Sequence, residues 1–273
     1  MLSVHKRISL QTLTTYNYSF DEDFALLRAL GVRWAGLLLH KLSPNPPERL
    51  GILADAGISP STILVEGFSL LDRSGWGRQR DNLCATIDMA EAHGAWSIYT
   101  TPGSAVDVPV PELTDILAEA VKPCVDHARG KAVRLAFEPS LRHEHSFVHS
   151  IRDAIPVAQK TGLGIVVDFG NCWMEADFAQ AMADAADHIA LLQICDAAAL
   201  PPNDGLNPRA FRRVPIGDGL LPIHTMMRAL EAAHYRGPVE FELPGMAEDR
   251  VAYGSLVPRA IASASELLER LQF

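Results

Sequence analysis

The chain has 273 residues, of which 48% are hydrophobic and 21% are charged. A chain of this length can bury about 75% of the surface that it exposes when unfolded, so it needs no disulfide or structural metal to form a core. Its 33 acidic and 24 basic side chains give a formal net charge of −9. Because an acidic surface repels phosphates, this charge argues against a nucleic-acid partner.

The cysteines predict a protein whose thiols stay reduced. They stand at Cys84, Cys124, Cys172 and Cys195, and none of them forms a CxxC pair. Unpaired cysteines in a chain of this size are typical of a cytoplasmic protein. The first residues lack the apolar run of a signal peptide, and no apolar run reaches the roughly 20 residues that span a bilayer, so no membrane association is expected.

The predicted elements alternate between strands and helices along the chain. The strand candidates are short apolar runs bounded by turn residues, as is typical of buried parallel strands. They are Arg7–Leu13, Arg33–Leu39, Ser59–Val65, Trp96–Thr101, Val133–Pro139, Gly164–Phe169, Ile189–Cys195 and Val239–Leu243. The helix candidates between them are Phe20–Leu30, Pro47–Ala56, Arg80–His93, Pro111–His127, Ser146–Lys160, Asp177–Asp187, Ile223–His234 and Pro258–Leu271.

This strict alternation predicts a parallel sheet covered by helices. The number of units favours closure into a single (β/α)8 TIM barrel of the α/β class, with residues 1–273 forming one domain. The alternative is an open doubly wound sheet, but no GxGxxG follows the first strand, where such a fold places its phosphate loop. The irregular stretch Ala197–Leu220 is long for a compact domain and is therefore predicted to be a functional loop.

Neighbouring strands end in polar side chains. The fifth to eighth strands carry Glu138, Asp168, Gln193 and Glu242 respectively near their C-terminal ends. In a TIM barrel these strand ends form the rim that carries the active site. Carboxylates that converge there would repel each other, and a divalent cation would remove that repulsion. Each residue alone could equally cap a helix or anchor a loop, but the recurrence on neighbouring strands favours a shared site.

Other residues near this rim have simpler explanations. Asp196 could cap or turn the loop that follows it. Glu240 alternates with Glu242 along the last strand and is expected to face the helices. Packing is a sufficient explanation for Tyr99, whereas Glu66, at the end of the third strand, is harder to place in a core.

The residues at the rim resemble those of the xylose isomerase-like TIM barrels, the sugar phosphate isomerase/epimerase superfamily. In that family a metal is held by Glu, Asp, His and Glu from strands five to eight. The resemblance implies that Glu138, Asp168 and Glu242 are metal ligands. It also implies that Gln193 stands where the family usually has its His and is the fourth ligand.

Two further segments carry the resemblance. The stretch Glu138-Pro-Ser-Leu-Arg-His-Glu144 is similar to that of ketose 3-epimerases, in which a second Glu six residues on serves the substrate pocket. The segment Arg213-Val-Pro-Ile-Gly-Asp-Gly219 resembles a family loop that places an Arg over the substrate. The predicted substrate-binding residues are Glu66, Glu144, His145, Asn171 and Arg213.

The sequence departs from the family pattern at two positions. Gln193 replaces an imidazole nitrogen by an amide oxygen, so the ligand set becomes all oxygen and favours Mg²⁺ or Mn²⁺ over Zn²⁺. Some dehydratases of the superfamily are similar in having Gln there. Asn171 stands where many relatives have a His, and an Asn cannot take a proton near pH 7.

The resemblance implies a chemistry. Removing a proton next to a carbonyl creates an enediolate, whose charge a coordinated cation stabilises. Glu138 and Glu242 come from strands five and eight and could flank the substrate as the catalytic pair. The predicted function is a divalent-metal-dependent isomerase or epimerase of a small keto-sugar or keto-polyol. The expected partner is therefore a sugar-like or cyclic polyol molecule, and relatives are often homodimers.

Other functions remain open. One is a metal-dependent lyase that dehydrates an inosose-like or dehydroshikimate-like ring, which Gln193 favours and Asn171 opposes. Another is a barrel that binds a small molecule without catalysis. An endonuclease branch acting on abasic DNA shares this barrel, but it carries additional His and Asp ligands for several zinc ions that this acidic chain lacks.

Overall fold

The computed structural model describes residues 4–104, 107–199, 211–243 and 250–273. Its strands, in chain order, are β1 (Ile8–Gln11), β2 (Trp34–Leu38), β3 (Ser59–Leu64), β4 (Ser97–Thr100), β5 (Arg134–Phe137), β6 (Gly164–Asp168), β7 (Ile189–Ile194), β8 (Asp196–Ala199), β9 (Phe211–Val214) and β10 (Val239–Phe241). All except β8 and β9 close into one barrel in the order β1-β10-β7-β6-β5-β4-β3-β2, with every pair parallel. This architecture confirms the predicted α/β class and the single TIM barrel.

Helices surround the barrel. They are α1 (Phe20–Leu30), α2 (Pro46–Asp55), α3 (Trp76–Ala92), α4 (Val110–Ala128), α5 (Ile151–Thr161), α6 (Phe169–Cys172), α7 (Phe178–Ala185), α8 (Ile223–Ala232) and α9 (Arg250–Leu271). Short 3-10 turns lie at Leu39–Leu42, Arg73–Gly75 and Ala186–His188. Among the helices of the described ranges, none is both long and apolar enough to span a bilayer.

Capping residues set the ends of α1. The Ser19 side chain accepts the backbone N–H of Glu22, and the Glu22 carboxylate accepts the backbone N–H of Ser19 at 2.8 Å. This reciprocal capping box satisfies donors that the first turn of a helix leaves free. The helix stops at Gly31, whose φ of 73° is the left-handed conformation that glycine adopts without a steric penalty.

The starts of some helices differ from the prediction. Helix α5 begins after Ser150 rather than at Ser146, because the Ser150 side chain caps the backbone N–H of Asp153. Helix α9 begins well before Pro258, which lies inside it. The segment before the proline packs Tyr253 into the core, so tertiary packing outweighs the helix-breaking tendency of proline. Helix α3 also begins earlier than predicted.

The loop after β7 contains a hairpin that the sequence did not predict. β8 and β9 pair in antiparallel fashion, with Ala197 opposite Arg213. The prediction of an irregular stretch over Ala197–Leu220 is therefore wrong where these strands lie, and its central residues 200–210 fall outside the described part of the chain. The hairpin carries Arg213 back to the rim of the barrel.

Part of the barrel interior is polar. Glu240 is fully buried there, so the prediction that it faces the helices is wrong; instead its neighbours Val239 and Phe241 pack against the helix layer. The carboxylate of Glu240 accepts hydrogen bonds from Ser61 Oγ at 2.5 Å and from Gln11 Nε2 at 3.2 Å. These hydrogen bonds offset part of the desolvation of the buried carboxylate, and burial still raises the pKa of Glu240 to about 7.

The polar interior depends on the absence of a side chain at Gly36. A Cβ at this position would lie 2.6 Å from Glu240 Oε1 and 2.7 Å from Gln11 Nε2. We expect Gly36→Ala to lower the free energy of unfolding in urea by about 1–3 kcal/mol through overpacking. The matched control is Gly51→Ala in α2, where a Cβ meets nothing within 4 Å. Equal stability of the two variants would contradict the crowding of Glu240 against Gly36.

A buried ion pair ties α1 to the turn after β2. Lys41 Nζ lies 2.6 Å from Asp23 Oδ2, and both side chains are at most 8% exposed. The same ammonium donates to the carbonyl oxygens of Thr12 and Thr15. Burial raises the pKa of Asp23 to about 6 and lowers the pKa of Lys41, each against the attraction of the partner. Desolvation is thus the larger effect on both groups.

Breaking this pair should be costly. We expect Lys41→Met to lower the free energy of unfolding by about 3–5 kcal/mol, because it leaves the Asp23 carboxylate buried without a counter-charge. The double variant Asp23→Leu/Lys41→Met should recover most of the loss in the same urea titration. If the double variant were as unstable as Lys41→Met, the unpaired charge would not be the cause.

Candidate metal and active site

Three carboxylates meet at the C-terminal end of the barrel. Glu138 follows β5, Asp168 ends β6 and Glu242 follows β10. One oxygen atom from each lies within 4.8 Å of the other two. Asp168 and Glu242 are buried, and Glu138 is half-buried at the wall of a cavity. The structure thus brings together the three acidic residues that were predicted as metal ligands.

The guanidinium group of Arg213 lies against this cluster. Its Nη1 donates to Asp168 Oδ1 at 3.1 Å and its Nη2 donates to Oδ2. Nη1 is also 3.5 Å from Glu242 Oε2. The close approach depends on Gly170, where any Cβ would collide with the guanidinium. Arg213 was predicted to contact substrate, and here it contacts two of the carboxylates.

Asn171 joins two of the carboxylates. It lies on α6, and its Nδ2 donates to Glu138 Oε1 at 2.7 Å and to Asp168 Oδ2 at 2.8 Å. The other oxygen of Asp168 accepts the backbone N–H of Gly170 and caps α6. The amide of Asn171 therefore holds the carboxylates of Glu138 and Asp168 in fixed relative positions.

The cluster has excess negative charge. Three carboxylates and one guanidinium leave a formal charge of −2. Burial, together with repulsion from Glu242 and Asp168, raises the pKa of Glu138 well above its usual range. Burial also raises the pKa of Glu242 to about 8, against the attraction of Arg213. A doubly charged cation would balance this charge and allow both groups to ionise.

Gln193 occupies the neighbouring position on β7. It lies in register with Asp168 of β6 and with Glu240 of β10. Its Nε2 donates to Glu240 Oε2 at 3.1 Å and to the Tyr99 hydroxyl oxygen at 3.3 Å. Its Oε1 is buried and has no hydrogen-bond partner among the described residues.

The residues present fit a divalent cation. The donor atoms are carboxylate oxygens and one amide oxygen, which are ligands that hard cations prefer. Gln193 Oε1 and Glu242 Oε2 are both buried and accept no hydrogen bond from the described residues. The Arg213 guanidinium lies 3.5 Å from Glu242 Oε2, but a buried oxygen that accepts no hydrogen bond still costs free energy. A cation that coordinates either oxygen would relieve this cost at that atom.

A cavity of about 1750 Å³ opens over the carboxylates. Its lining includes Glu66, His145, Asn171 and Arg213, together with Glu138, Glu242 and Tyr99. Glu66 and His145 are exposed to it, so four of the five predicted substrate-binding residues reach this cavity. Glu144 does not line it; its exposed carboxylate pairs at 3.2 Å with Arg142, which does.

Two further acidic residues near the cluster, Asp196 and Glu240, hydrogen-bond to neighbouring parts of the protein. The carboxylate of Asp196 accepts backbone N–H groups of the loop after β9, at Gly217, Gly219 and Leu221. Asp196 thus anchors this loop.

Sequence reasoning missed the contact of Glu240 with Gln193. Residues two apart on a strand face the same side, so the inward position of Glu242 was the signal that could have placed Glu240.

The fold and this cluster define a TIM barrel with a candidate divalent-metal site at the C-terminal ends of its strands. A family model described as the xylose isomerase-like TIM barrel matches residues 24–270, and the chain belongs to this family. Among curated proteins, none matches the sequence.

Solved structures share the architecture. The chain is similar to the IolI protein with a bound zinc atom, with a TM-score of 0.77, 16% identity and 97% of each chain covered. It is similar to D-psicose 3-epimerase in the presence of D-fructose, with a TM-score of 0.74, 16% identity and 98% of each chain covered. It is also similar to the probable 3-DHS dehydratase AsbF of Bacillus anthracis, with a TM-score of 0.71 and 12% identity over 96% of this chain and 98% of that one. At these identities the similarity concerns the fold alone.

Proposed function

We propose that the protein is a divalent-metal-dependent isomerase or epimerase of a small keto-sugar or keto-polyol. The observation that carries this proposal is the convergence of Glu138, Asp168 and Glu242 within 4.8 Å beside a cavity. Such a cluster can both hold a cation and move a proton. The similarity in fold to D-psicose 3-epimerase and to the zinc-bound IolI protein supports it.

Four residues would hold the cation. They are Glu138, Asp168, Gln193 and Glu242, and all of them offer oxygen. An all-oxygen set favours Mg²⁺ or Mn²⁺ over Zn²⁺. A cation held by these residues would polarise the substrate carbonyl and would stabilise the negative charge that develops on its oxygen.

Glu138 and Glu242 would carry the proton. They extend from β5 and β10, and β6 and β7 lie between these strands in the barrel, so the two carboxylates approach the cavity from different sides. One takes the proton from the carbon next to the carbonyl, and the other returns a proton to the opposite face. The buried position that raises both pKa values also makes each ionised carboxylate a stronger base.

Donors around the cluster would orient the substrate. Arg213 and Asn171 present N–H groups beside the carboxylates and can hydrogen-bond substrate oxygens near the reacting carbon. Glu66 and His145 are exposed in the cavity and can contact more distant hydroxyls. Glu144 is paired with Arg142, which lines the cavity, and we propose that it contacts substrate from there.

The proposal is tested by metal content and hydrogen exchange together. Protein purified without chelator is analysed for metals, and keto-sugars and keto-polyols are incubated with it in D2O with added Mn²⁺ or Mg²⁺. We expect bound divalent metal and deuterium at the carbon next to the carbonyl in the NMR spectrum. A protein that binds no divalent metal and exchanges no substrate proton would overturn the proposal.

The second candidate is a lyase that dehydrates an inosose-like or dehydroshikimate-like ring. Gln193 and the similarity in fold to the probable dehydratase AsbF favour it. Asn171 counts against it, because it binds Glu138 and Asp168 and cannot act as a base. Loss of water would give an enone that absorbs in the ultraviolet, whereas epimerisation would not.

The remaining predictions are proposals as well. A barrel that binds a ligand without catalysis would hold no metal and would keep its ligand affinity after Glu138→Gln. We further propose that residues 1–273 form one domain, that the protein works in the cytoplasm and that it forms a homodimer. Size-exclusion chromatography with light scattering tests the last of these directly.

A further inference from the structure

Beneath the carboxylate cluster lies a second group of buried polar side chains that the proposed reaction does not use. Glu240 is at its centre and is fully buried. It accepts from Ser61 Oγ at 2.5 Å, from Gln11 Nε2 at 3.2 Å and from Gln193 Nε2 at 3.1 Å. The Tyr99 hydroxyl oxygen is the second acceptor for Gln193 Nε2.

This arrangement determines how the Gln193 amide is oriented. An amide has a nitrogen that only donates and an oxygen that only accepts. Nε2 donates one hydrogen to Glu240 and the other to Tyr99, so both N–H groups are used. Oε1 has no hydrogen-bond partner among the described residues. Rotating the amide by 180° would place Oε1 against the carboxylate of Glu240, where two acceptors would face each other. The NH2 group would then lose Glu240 as its hydrogen-bond acceptor.

We propose that Glu240 and Tyr99 are positioning residues that present Gln193 Oε1 as an oxygen ligand to the cation held by the carboxylates. This inference rests on the metal site of the proposed function. The partner that fixes the free end of a metal ligand commonly decides its orientation and its affinity for metal. Here the partner also decides which atom of the side chain, oxygen or nitrogen, faces the ion.

The surroundings keep the Glu240 carboxylate in place. Ser61 of β3 donates to its Oε1, and Gln11 of β1 donates to Oε2, the oxygen that also accepts from Gln193. Gly36 lets it lie close to the backbone of β2, where a Cβ would come within 2.6 Å of Oε1. Donors from two other strands and the backbone of β2 restrict how far this carboxylate can turn to follow a rotated amide, so the barrel sets the orientation of Gln193.

The test is a double-mutant cycle read by Mn²⁺ affinity in isothermal titration calorimetry. Glu240→Leu and Glu240→Gln are each made with Gln193 intact and in a Gln193→Leu background. We expect Glu240→Leu to weaken Mn²⁺ binding about 10–100-fold when Gln193 is present, which is the usual cost of losing an orienting partner. Glu240→Gln keeps an acceptor oxygen and should restore affinity close to that of the wild type.

Comparing the wild-type and Gln193→Leu backgrounds tells whether Glu240 acts by positioning Gln193 or by stabilising the fold in general. In Gln193→Leu, replacing Glu240 by Leu should weaken Mn²⁺ binding no further. An equal loss in both backgrounds, or no loss with Gln193 intact, would overturn the inference while leaving the proposed function in place. Wild-type protein that binds no Mn²⁺ would overturn the metal site and the inference together. Should Glu240→Leu not fold, the same cycle with Tyr99→Phe decides, with a smaller loss expected that also vanishes in Gln193→Leu.

Discussion

Replacing Glu138 or Glu242 by glutamine is expected to lower kcat by about 10²–10⁴-fold, the usual contribution of a general acid or base. Glutamine keeps the shape of the side chain but cannot accept the proton from carbon. The fold should tolerate both changes, because burial raises the pKa of each carboxyl and a neutral amide removes the repulsion within the cluster. The measurement is kcat with saturating metal, alongside the melting temperature of each variant.

Hydrogen exchange separates the roles of the two glutamates. If each faces one side of the substrate, Glu138→Gln should keep deuterium exchange with one epimer and lose it with the other, and Glu242→Gln should show the reverse. The control is Glu119→Gln, an exposed carboxylate paired with Arg73, which should leave kcat unchanged. Variants that exchanged both epimers at the wild-type rate would show that the proton is carried elsewhere.

The barrel could be predicted from the sequence because its strands are short apolar runs buried on both faces. Such apolar runs can be recognised in the sequence without knowing which residues pack against them. The β8–β9 hairpin carried no such signal. β8 reads Asp-Ala-Ala-Ala, without the β-branched or aromatic residues that favour a strand, and it is held by pairing with β9. Elements that depend on a distant partner cannot be read from local sequence.

The convergence of the carboxylates could also be predicted, because parallel strands in a barrel end at one rim. The side-chain contacts at this rim could not be predicted from the sequence. Arg213 reaches Asp168 because β9 pairs with β8 beside the rim and Gly170 leaves room for the guanidinium. The expectation that Glu240 faces the helices was wrong, because residues two apart on a strand face the same side and Glu242 points inward. The donors to Glu240 come from three other strands.

The affinity for Mn²⁺ is expected to rise with pH, by about tenfold per pH unit for each proton that the metal displaces. Burial raises the pKa of Glu138 and brings that of Glu242 to about 8, so the metal-free protein holds protons there at neutral pH. Metal binding must release them. Calorimetry in buffers of different ionisation enthalpy counts the protons released, and Glu242→Gln should release one fewer than the wild type.

The same protons give the stability of the metal-free protein a defined dependence on pH. A carboxyl whose pKa is raised from 4.5 to about 8 by folding binds its proton more tightly in the folded state, so its contribution is full below about pH 4.5 and is lost as the pH rises through about 8. Mn²⁺ should therefore raise the melting temperature more at pH 8 than at pH 6, because only at the higher pH does it meet ionised ligands. Metal affinity and metal-induced stabilisation that stay constant over this range would mean that the carboxylates are already ionised in the metal-free protein, and that Arg213 and Asn171 alone compensate their charge.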